Sequence, residues 1–419
     1  MDRRNFIKTG GLITTFSAIS PALSAETILK QGDDVIPQAT IKALRARIKP
    51  ITSEERAQRV EKARTLMDEN GLNVILMEGG TSLNYFSGAR WGRSERLFAM
   101  ILPKKGASFY IAPKFEESRA REQTGNATVY CWEEDESPYE LIAKVLKENN
   151  LQNGVLGIEE TTRHFVTENI QSAIPTLKIK SATPVTAGCR SVKTAHEIEL
   201  MQVANEIAAE VYKAAVKQLK TGMTEREFGK IISDLFDEFG CEGGALVLFG
   251  EASAYPHGLV KQVKLKENNI VLMDGGCSVE GYESDITRTV VFGKATDKMK
   301  KNFDIVRKAQ DAGLKAAKPG MEAWTVDAAA RKIITDNGYG PGYKFFTHRL
   351  GHGIGMDGHE WYYLVGGNKY ILKAGNMFSN EPGIYIPGEF GIRLEDEMLI
   401  TEDGAKLLLP QSDSLEKMF

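Results

Sequence analysis

Apolar and polar positions first fall into a helical rhythm at Ser53, predicting an amphipathic helix that runs to Asn70 and closes at Gly71. Short apolar runs then follow at Val74 to Met77, Leu97 to Leu102, Phe109 to Ala112 and Val155 to Ile158, and each reads as a strand. Pro138 to Asn149 reads as a helix between them. This alternation predicts an α/β domain over residues 40–190, without a motif that names a chemistry. Thr186 to Lys193 reads as the linker to a second domain, residues 194–419.

That second domain opens with two marked helices. Thr194-Ala-His-Glu197 and Thr224-Glu-Arg-Glu227 are capping boxes, in which a threonine side chain and a glutamate three residues on satisfy each other's backbone N–H groups. Ile198, Met201, Ile207, Ala208 and Val211 line one face of the first helix, and the second ends before Gly240. The pattern then recurs. Lys220-Thr-Gly-Met223 with Lys230-Ile-Ile-Ser-Asp234 is echoed by Lys318-Pro-Gly-Met321 with Lys332-Ile-Ile-Thr-Asp336. Two blocks in the same order predict two structural half-repeats facing each other, with a cleft between them.

Composition narrows the class. A chain of 419 residues can bury two proper cores. Its net charge of −3, without long runs of one sign, argues against a nucleic-acid partner. No apolar stretch approaches the ~20 residues needed to span a bilayer, so no stable membrane anchor is expected. Cys131, Cys189, Cys241 and Cys277 form no CxxC pair, which argues against a zinc ribbon or a thioredoxin-like site; any disulfide pairing stays open. At the start, Arg3-Arg4-Asn5-Phe6-Ile7-Lys8, a mild apolar stretch from Gly11 to Ile19 and small residues to Ala25 resemble a twin-arginine export signal. Residues 1–25 are therefore expected to be removed, after Ala25 or Ala22, leaving a periplasmic or secreted protein.

Five residues in glycine-rich frames carry the chemistry: Asp274 in MDGG, Asp285 in ESDITRT, His352 in HRLGHGIG, Glu381 in NEPG and Glu395 in RLEDE. Singly, an aspartate before glycine is usually a turn residue and a glutamate in a strand a solvated face. Together, four carboxylates and one imidazole are a poor structural zinc site, which prefers thiolates and histidines. They suit two divalent ions sharing carboxylates, the arrangement that makes hydroxide at neutral pH and clamps a tetrahedral intermediate. Asp274 is expected at the end of a strand closed by Gly275 and Gly276, with a turn near Gly281 bringing Asp285 beside it. A Pro387-Gly388 turn does the same for Glu381 and Glu395. Gly351, Gly353 and Gly355 make a helix unfavourable around His348 and His352, so this is no helical HExxH site.

With these motifs the chain resembles the pita-bread metallopeptidases, the family of prolidase, Xaa-Pro aminopeptidase, methionine aminopeptidase and metal-free creatinase. The resemblance covers Thr52 to the C-terminus and is strongest from Ala195 onward. It implies an α/β creatinase-like N-terminal domain followed by an α+β pita-bread catalytic domain built from two half-repeats. The family's two-metal ligands fall on Asp274, Asp285, His352, Glu381 and Glu395, with no position missing. Creatinase lacks such a set, and methionine aminopeptidase lacks the extra N-terminal domain. The expected activity is hydrolysis of the bond before proline in short peptides, by a hydroxide bridging two metal ions. Manganese is favoured because the ligands are mostly oxygen, with cobalt, zinc or iron as alternatives. Glu381 would also carry the proton. His257 of the SAYPHG segment would lie near the scissile bond, while His348 and His359 would line the pocket and stabilise the oxyanion. Arg393 would hold substrate or orient a metal carboxylate, or else form an ordinary cross-strand pair with Asp396 or Glu397. The resemblance further implies a homodimer in which a neighbouring N-terminal domain covers the cleft. One of Arg90, Arg93 and Arg96, in a stretch with Asn84, Tyr85 and Trp91, would then meet the substrate carboxylate. Two other readings keep the fold: a lyase or amidohydrolase acting on a small nitrogen- or sulfur-containing metabolite, and a catalytically dead binding module. The five retained ligands argue against the second.

Overall fold

The computed structural model describes residues 35–419, so the export-signal segment lies outside the described residues. The helix Ser53–Asn70 has both halves of a capping box at Thr52 and Glu55, and Gly71 ends it in the left-handed conformation at φ 66°. It leads into a six-stranded mixed sheet, whose strands lie in the order Thr128–Trp132, Phe109–Pro113, Ala99–Pro103, Val74–Glu78, Val155–Ile158 and Lys178–Ser181. The three strands from Phe109–Pro113 to Val74–Glu78 are buried throughout, which explains why they read as unbroken apolar runs. Both edge strands escape the sequence pattern. Lys178–Ser181 exposes three of its four residues, leaving no alternation to detect.

Residues 186–193 are not a linker. Thr183–Arg190 is a helix, and Thr186, Arg190, Ser191 and Lys193 are buried where the two halves of the chain meet. The charged pair Arg190 and Lys193 is held by Glu360 across the junction, while the Thr186 hydroxyl donates to the Ala182 carbonyl of its own helix at 3.3 Å. A second junction contact comes from Arg59, which donates to Glu197 at 3.0 Å, to the Tyr282 hydroxyl at 2.6 Å and to the Tyr85 carbonyl at 2.8 Å. Gln38–Arg47 is a further helix, set against Ala195–Val216 by buried Ile41 and Leu44 and by Arg47 on Glu199. Only two of its positions are buried, too few to make a readable stripe.

The half-repeats match in backbone detail. Helices Ala195–Val216 and Glu225–Glu238 precede a sheet of Gly243–Phe249, Asn269–Val279 and Ile286–Phe292. Asp297–Ala316 and Ala323–Asp336 precede a five-stranded sheet and the hairpin Gly383–Ile386/Phe390–Arg393. In the turn between each pair of helices a glycine takes a positive φ, 86° at Gly222 and 84° at Gly320. Gly222 donates to the Leu265 carbonyl at 2.8 Å, and Gly320 to that of Leu372 at 2.9 Å. The ion pairs Lys230–Asp234, at 2.7 Å, and Lys332–Asp336, at 2.6 Å, repeat too. The two sheets are stitched together where Ile286–Phe292 meets residues 393–395. Glu395 N–H donates to the Thr287 carbonyl at 3.1 Å, and the Thr289 hydroxyl to that of Arg393 at 2.6 Å.

The candidate metal centre

The seam between the halves gathers all five predicted ligands. Asp274 lies in the middle of Asn269–Val279 rather than at its end, opposite Thr287 on one side and Leu246 on the other. Gly275 and Gly276 do not stop the strand; they let its neighbours approach. A Cβ at Gly275 would lie 2.5 Å from the Gly244 carbonyl oxygen, and one at Gly276 2.1 Å from that of Ser284. Beyond them a turn at Glu280 and Gly281 reverses the chain, with Val279 opposite Tyr282, and Asp285 follows. Across the seam, His352 sits in the strand Gly351–Gly353, while Glu381 and Glu395 flank the Gly383–Ile386/Phe390–Arg393 hairpin. Glycines flank His352 for the same reason. A Cβ at Gly351 would be 2.0 Å from the Ser379 oxygen, and one at Gly353 2.3 Å from that of Trp361.

Ligand atoms of Asp274, Asp285 and Glu395 lie within 4.8 Å of one another, and so do those of His352, Glu381 and Glu395. Glu395 belongs to both trios, so its carboxylate is placed to serve two cations. A third trio, Asp285, His352 and His359, links them. The donor set fits divalent ions on several counts. Buried Glu395 Oε1 has no hydrogen-bond partner among the described residues. His352 donates from Nδ1 to the Gly353 carbonyl at 3.0 Å, which leaves the Nε2 lone pair facing Glu381 at 3.3 Å and Asp285 at 3.8 Å. Burial, with His359 beside it, lowers the His352 pKa to about 3, so the imidazole is neutral as a ligand must be.

Without a cation the acids repel. Burial first, then the neighbouring carboxylates, pushes Asp285 and Glu395 well above the ordinary range. Glu381 is pushed up to about 8 by burial and by Asp274, against the pull of Arg393. Asp274 alone goes down: burial opposes ionisation, but Arg393 and Thr287 outweigh it. The Thr287 hydroxyl lies 2.8 Å from Asp274 Oδ1 and 2.6 Å from Glu395 Oε2, and its single proton can serve only one of them. In the cation-free protein the second contact requires a proton on a carboxylate, in keeping with the raised Glu395.

Arg393 is buried and tied to four neighbours. It donates to Asp274, to the Thr287 hydroxyl at 3.2 Å, to the Tyr385 hydroxyl at 2.8 Å and to the Pro256 carbonyl at 3.3 Å. These bonds take four of its five N–H groups, and no cross-strand pair forms: Asp396 takes Arg288 at 2.6 Å, and Glu397 accepts from Asn205 and from the Asp285 N–H. Tyr385 passes the arginine's polarity on. Its hydroxyl lies 2.7 Å from His348 Nε2, while His348 Nδ1 lies 2.8 Å from the Arg349 carbonyl oxygen. A carbonyl only accepts, so Nδ1 carries the proton and Nε2 takes the one from Tyr385. Both His348 nitrogens are thus engaged.

His359 differs. Its ring stacks on His352 with centroids 3.8 Å apart, and its Nδ1 lies 3.3 Å from Arg349 Nη2. A guanidinium can only donate, so the His359 proton sits on Nε2. His257 is exposed and lines the same cavity of about 630 Å³. Arg90, Arg93 and Arg96 do not line it in their own chain. Arg93 binds the Gly79 carbonyl and Thr161, Arg96 pairs with Glu134 at 2.8 Å, Tyr85 is buried, and Trp91 stacks on Phe98.

Sequence reasoning passed over Thr287, Tyr385, Arg349 and Ser379. Thr287 stands two residues beyond Asp285, a spacing that places both on one face of a strand, so a signal existed. Ser379, which donates to Glu381 at 3.1 Å and receives the His352 N–H at 3.0 Å, also lies two residues before its glutamate. Tyr385 had none, because its role depends on the hairpin folding back over His348.

Residues 59–192 match the creatinase/prolidase N-terminal domain, and residues 199–402 match metallopeptidase family M24. The Xaa-Pro dipeptidase of Lactobacillus delbrueckii subsp. lactis is 35% identical over 370 residues, covering 85% of this chain and 98% of the relative. That of Pyrococcus furiosus is 35% identical over 354 residues, covering 84% and 97%. Among solved structures, recombinant prolidase from Thermococcus sibiricus superposes with a TM-score of 0.78 at 33% identity, covering 86% of this chain and 98% of that one. The chain belongs to metallopeptidase family M24, with a creatinase/prolidase N-terminal domain ahead of a pita-bread catalytic domain.

Proposed function

We propose that this protein hydrolyses the bond before proline in short peptides at a centre of two divalent cations, manganese being favoured by the oxygen-rich donors. The observation that carries this reading is the pair of ligand trios sharing Glu395. Relatives at 35% identity named Xaa-Pro dipeptidase support the substrate class. When bound, the cations supply an acidified water at neutral pH and polarise the scissile carbonyl.

The protein's own groups do the rest. Glu381 takes the proton of the attacking water and delivers it to the prolyl nitrogen, a tertiary amide nitrogen with no N–H of its own, which leaves only once protonated. His359 donates its Nε2–H to the developing oxyanion, and His257 supports it from the cavity rim. His348 keeps a supporting role, because both its nitrogens are spent on Tyr385 and the Arg349 carbonyl. Arg393 holds Asp274 in its ionised, ligating form.

Purified protein with Mn²⁺ is expected to cut Ala-Pro, and to spare Ala-Ala-Ala. Cleavage of Ala-Pro-Ala as well would make it an aminopeptidase, and cleavage of none would turn the argument to a small metabolite as substrate. We also propose pairing into a homodimer and export by the twin-arginine route. Arg3-Arg4 ahead of an apolar stretch supports the latter, since that route carries folded proteins with metals already loaded. Cell fractionation should find the mature protein in the periplasm, and the double change Arg3→Lys, Arg4→Lys should trap it inside. Unaltered distribution of the double variant would remove the export reading.

A further inference from the structure

His359 is the imidazole on which the oxyanion contact rests, yet little holds it directly. Among the described residues its ring has one hydrogen-bond neighbour, Arg349, and one stacking neighbour, His352. The segment before it contains Gly355 and Gly358, which give the backbone no rigidity of its own. The next residue, Glu360, is different. It is 2% exposed, and its Oε1 accepts the Met356 N–H at 2.9 Å and the Asp357 N–H at 3.3 Å, closing residues 356–360 into a loop. Two buried cations from the domain junction then grip the same carboxylate. Lys193 donates to Oε2 at 2.9 Å, and Arg190, at the end of Thr183–Arg190, donates to Oε1 from Nε and Nη2. Arg190 also holds Asp357 at 2.6 Å, whose other oxygen takes the Thr81 hydroxyl at 2.6 Å. Gly355 leaves room for this knot: a Cβ there would lie 2.8 Å from both Glu360 oxygens and from Lys193 Nζ.

From this geometry we infer that Glu360, gripped by Arg190 and Lys193, is a positioning residue that sets the His359 imidazole against His352 and so ties catalysis to the seating of the N-terminal domain. None of the three touches the metal-ligand cavity. They act through the one peptide unit joining Glu360 to His359, and through the loop Glu360 closes. A glutamine at 360 keeps the shape but leaves two buried cations facing a neutral amide, so the loop's tether loosens while the five ligands stay in place. The catalytic part of this inference rests on the peptidase reading above; the structural part does not.

The test therefore has two readouts. Nitrogen-15 spectra of the histidine side chains in the full chain, with His359 assigned by His359→Gln, report the ring without any substrate. Glu360→Gln is expected to shift or broaden the His359 signals, to leave those of His164 and His196 unchanged, and to keep two metals per chain. Glu360→Asp should recover most of the wild-type pattern. On Ala-Pro, Glu360→Gln should lower kcat at least tenfold with KM within about twofold, and adding His359→Gln should cost little more, because the two act as one unit. Should Glu360→Gln not fold, Asp357→Asn cuts the other tie at a half-exposed site and should move the same signals less. Unperturbed His359 signals in both variants, or kcat losses that multiply in the double variant, would overturn the inference. A wild-type protein that leaves Ala-Pro intact while His359 still responds to Glu360 would instead defeat the substrate reading alone.

Discussion

Glu381→Gln is expected to reduce prolyl-bond hydrolysis by ~10³-fold at saturating Mn²⁺, the range general acid–base groups command. The glutamine is nearly isosteric, so it can still receive the Ser379 hydroxyl, and its backbone can still donate to the Leu350 carbonyl at 2.9 Å. What it cannot do is carry a proton from water to the leaving nitrogen, or lend its charge to a cation. Measuring at saturating metal, with metal content determined beside the rate, separates these two losses. His348→Gln supplies the contrast. It breaks the Tyr385 relay without touching a ligand, and a smaller loss is expected. Turnover by Glu381→Gln within about tenfold of wild type would remove the glutamate from the proton path.

The second large effect concerns the protein without its metals. Glu381, pushed up to about 8, and Asp285 and Glu395, pushed higher than usual, hold protons in the folded cation-free chain that they would release when unfolded. An acid whose folded pKa is raised stabilises fully below its unfolded value and loses that contribution as pH climbs through the folded one. For Glu381 that window runs from about 4.5, its ordinary value, to about 8. The melting temperature of chelator-treated protein is therefore expected to fall from pH 5 to pH 8. Metal-loaded protein should behave oppositely, because its ligands must be deprotonated and low pH releases the ions. Each ion present at a hundredfold excess over its Kd adds about 2.7 kcal/mol, which is roughly 3 °C in Tm for a chain of this length. Melting curves with and without Mn²⁺ across this range check both slopes. A flat profile for the chelated protein would mean that the carboxylates are not confined together as described.

How much of this was legible beforehand depended on whether the physics was local. Capping boxes at Thr194 and Thr224 could be read because both partners lie within four residues, and both form. The buried central strands could be read because continuous burial writes itself as continuous apolar residues. Gln38–Arg47 and the edge strand Lys178–Ser181 could not, since each meets the core through only a few side chains. Residues 186–193 misled for a related reason: Arg190 and Lys193 look like solvent-facing charges until Glu360, some 170 residues away in the chain, is folded against them. The glycines after Asp274 had two physical meanings, strand end or close approach. Only neighbouring backbones at 2.5 Å and 2.1 Å from absent Cβ atoms choose the second.

The amino-acid order alone determined the five acid and imidazole donors, their glycine frames and the doubled helix pair, because donor chemistry and short-range periodicity are properties of the residues themselves. Tertiary structure decided which groups remain free to act. Arg393, His348 and His359 look interchangeable as polar residues near ligands, yet Arg393 spends four of its five donors on neighbours, His348 spends its one, and His359 keeps its own. A hydrogen-bonding group has a fixed number of protons and lone pairs, and whether any is left for substrate depends on partners that only folding brings within 3 Å or so.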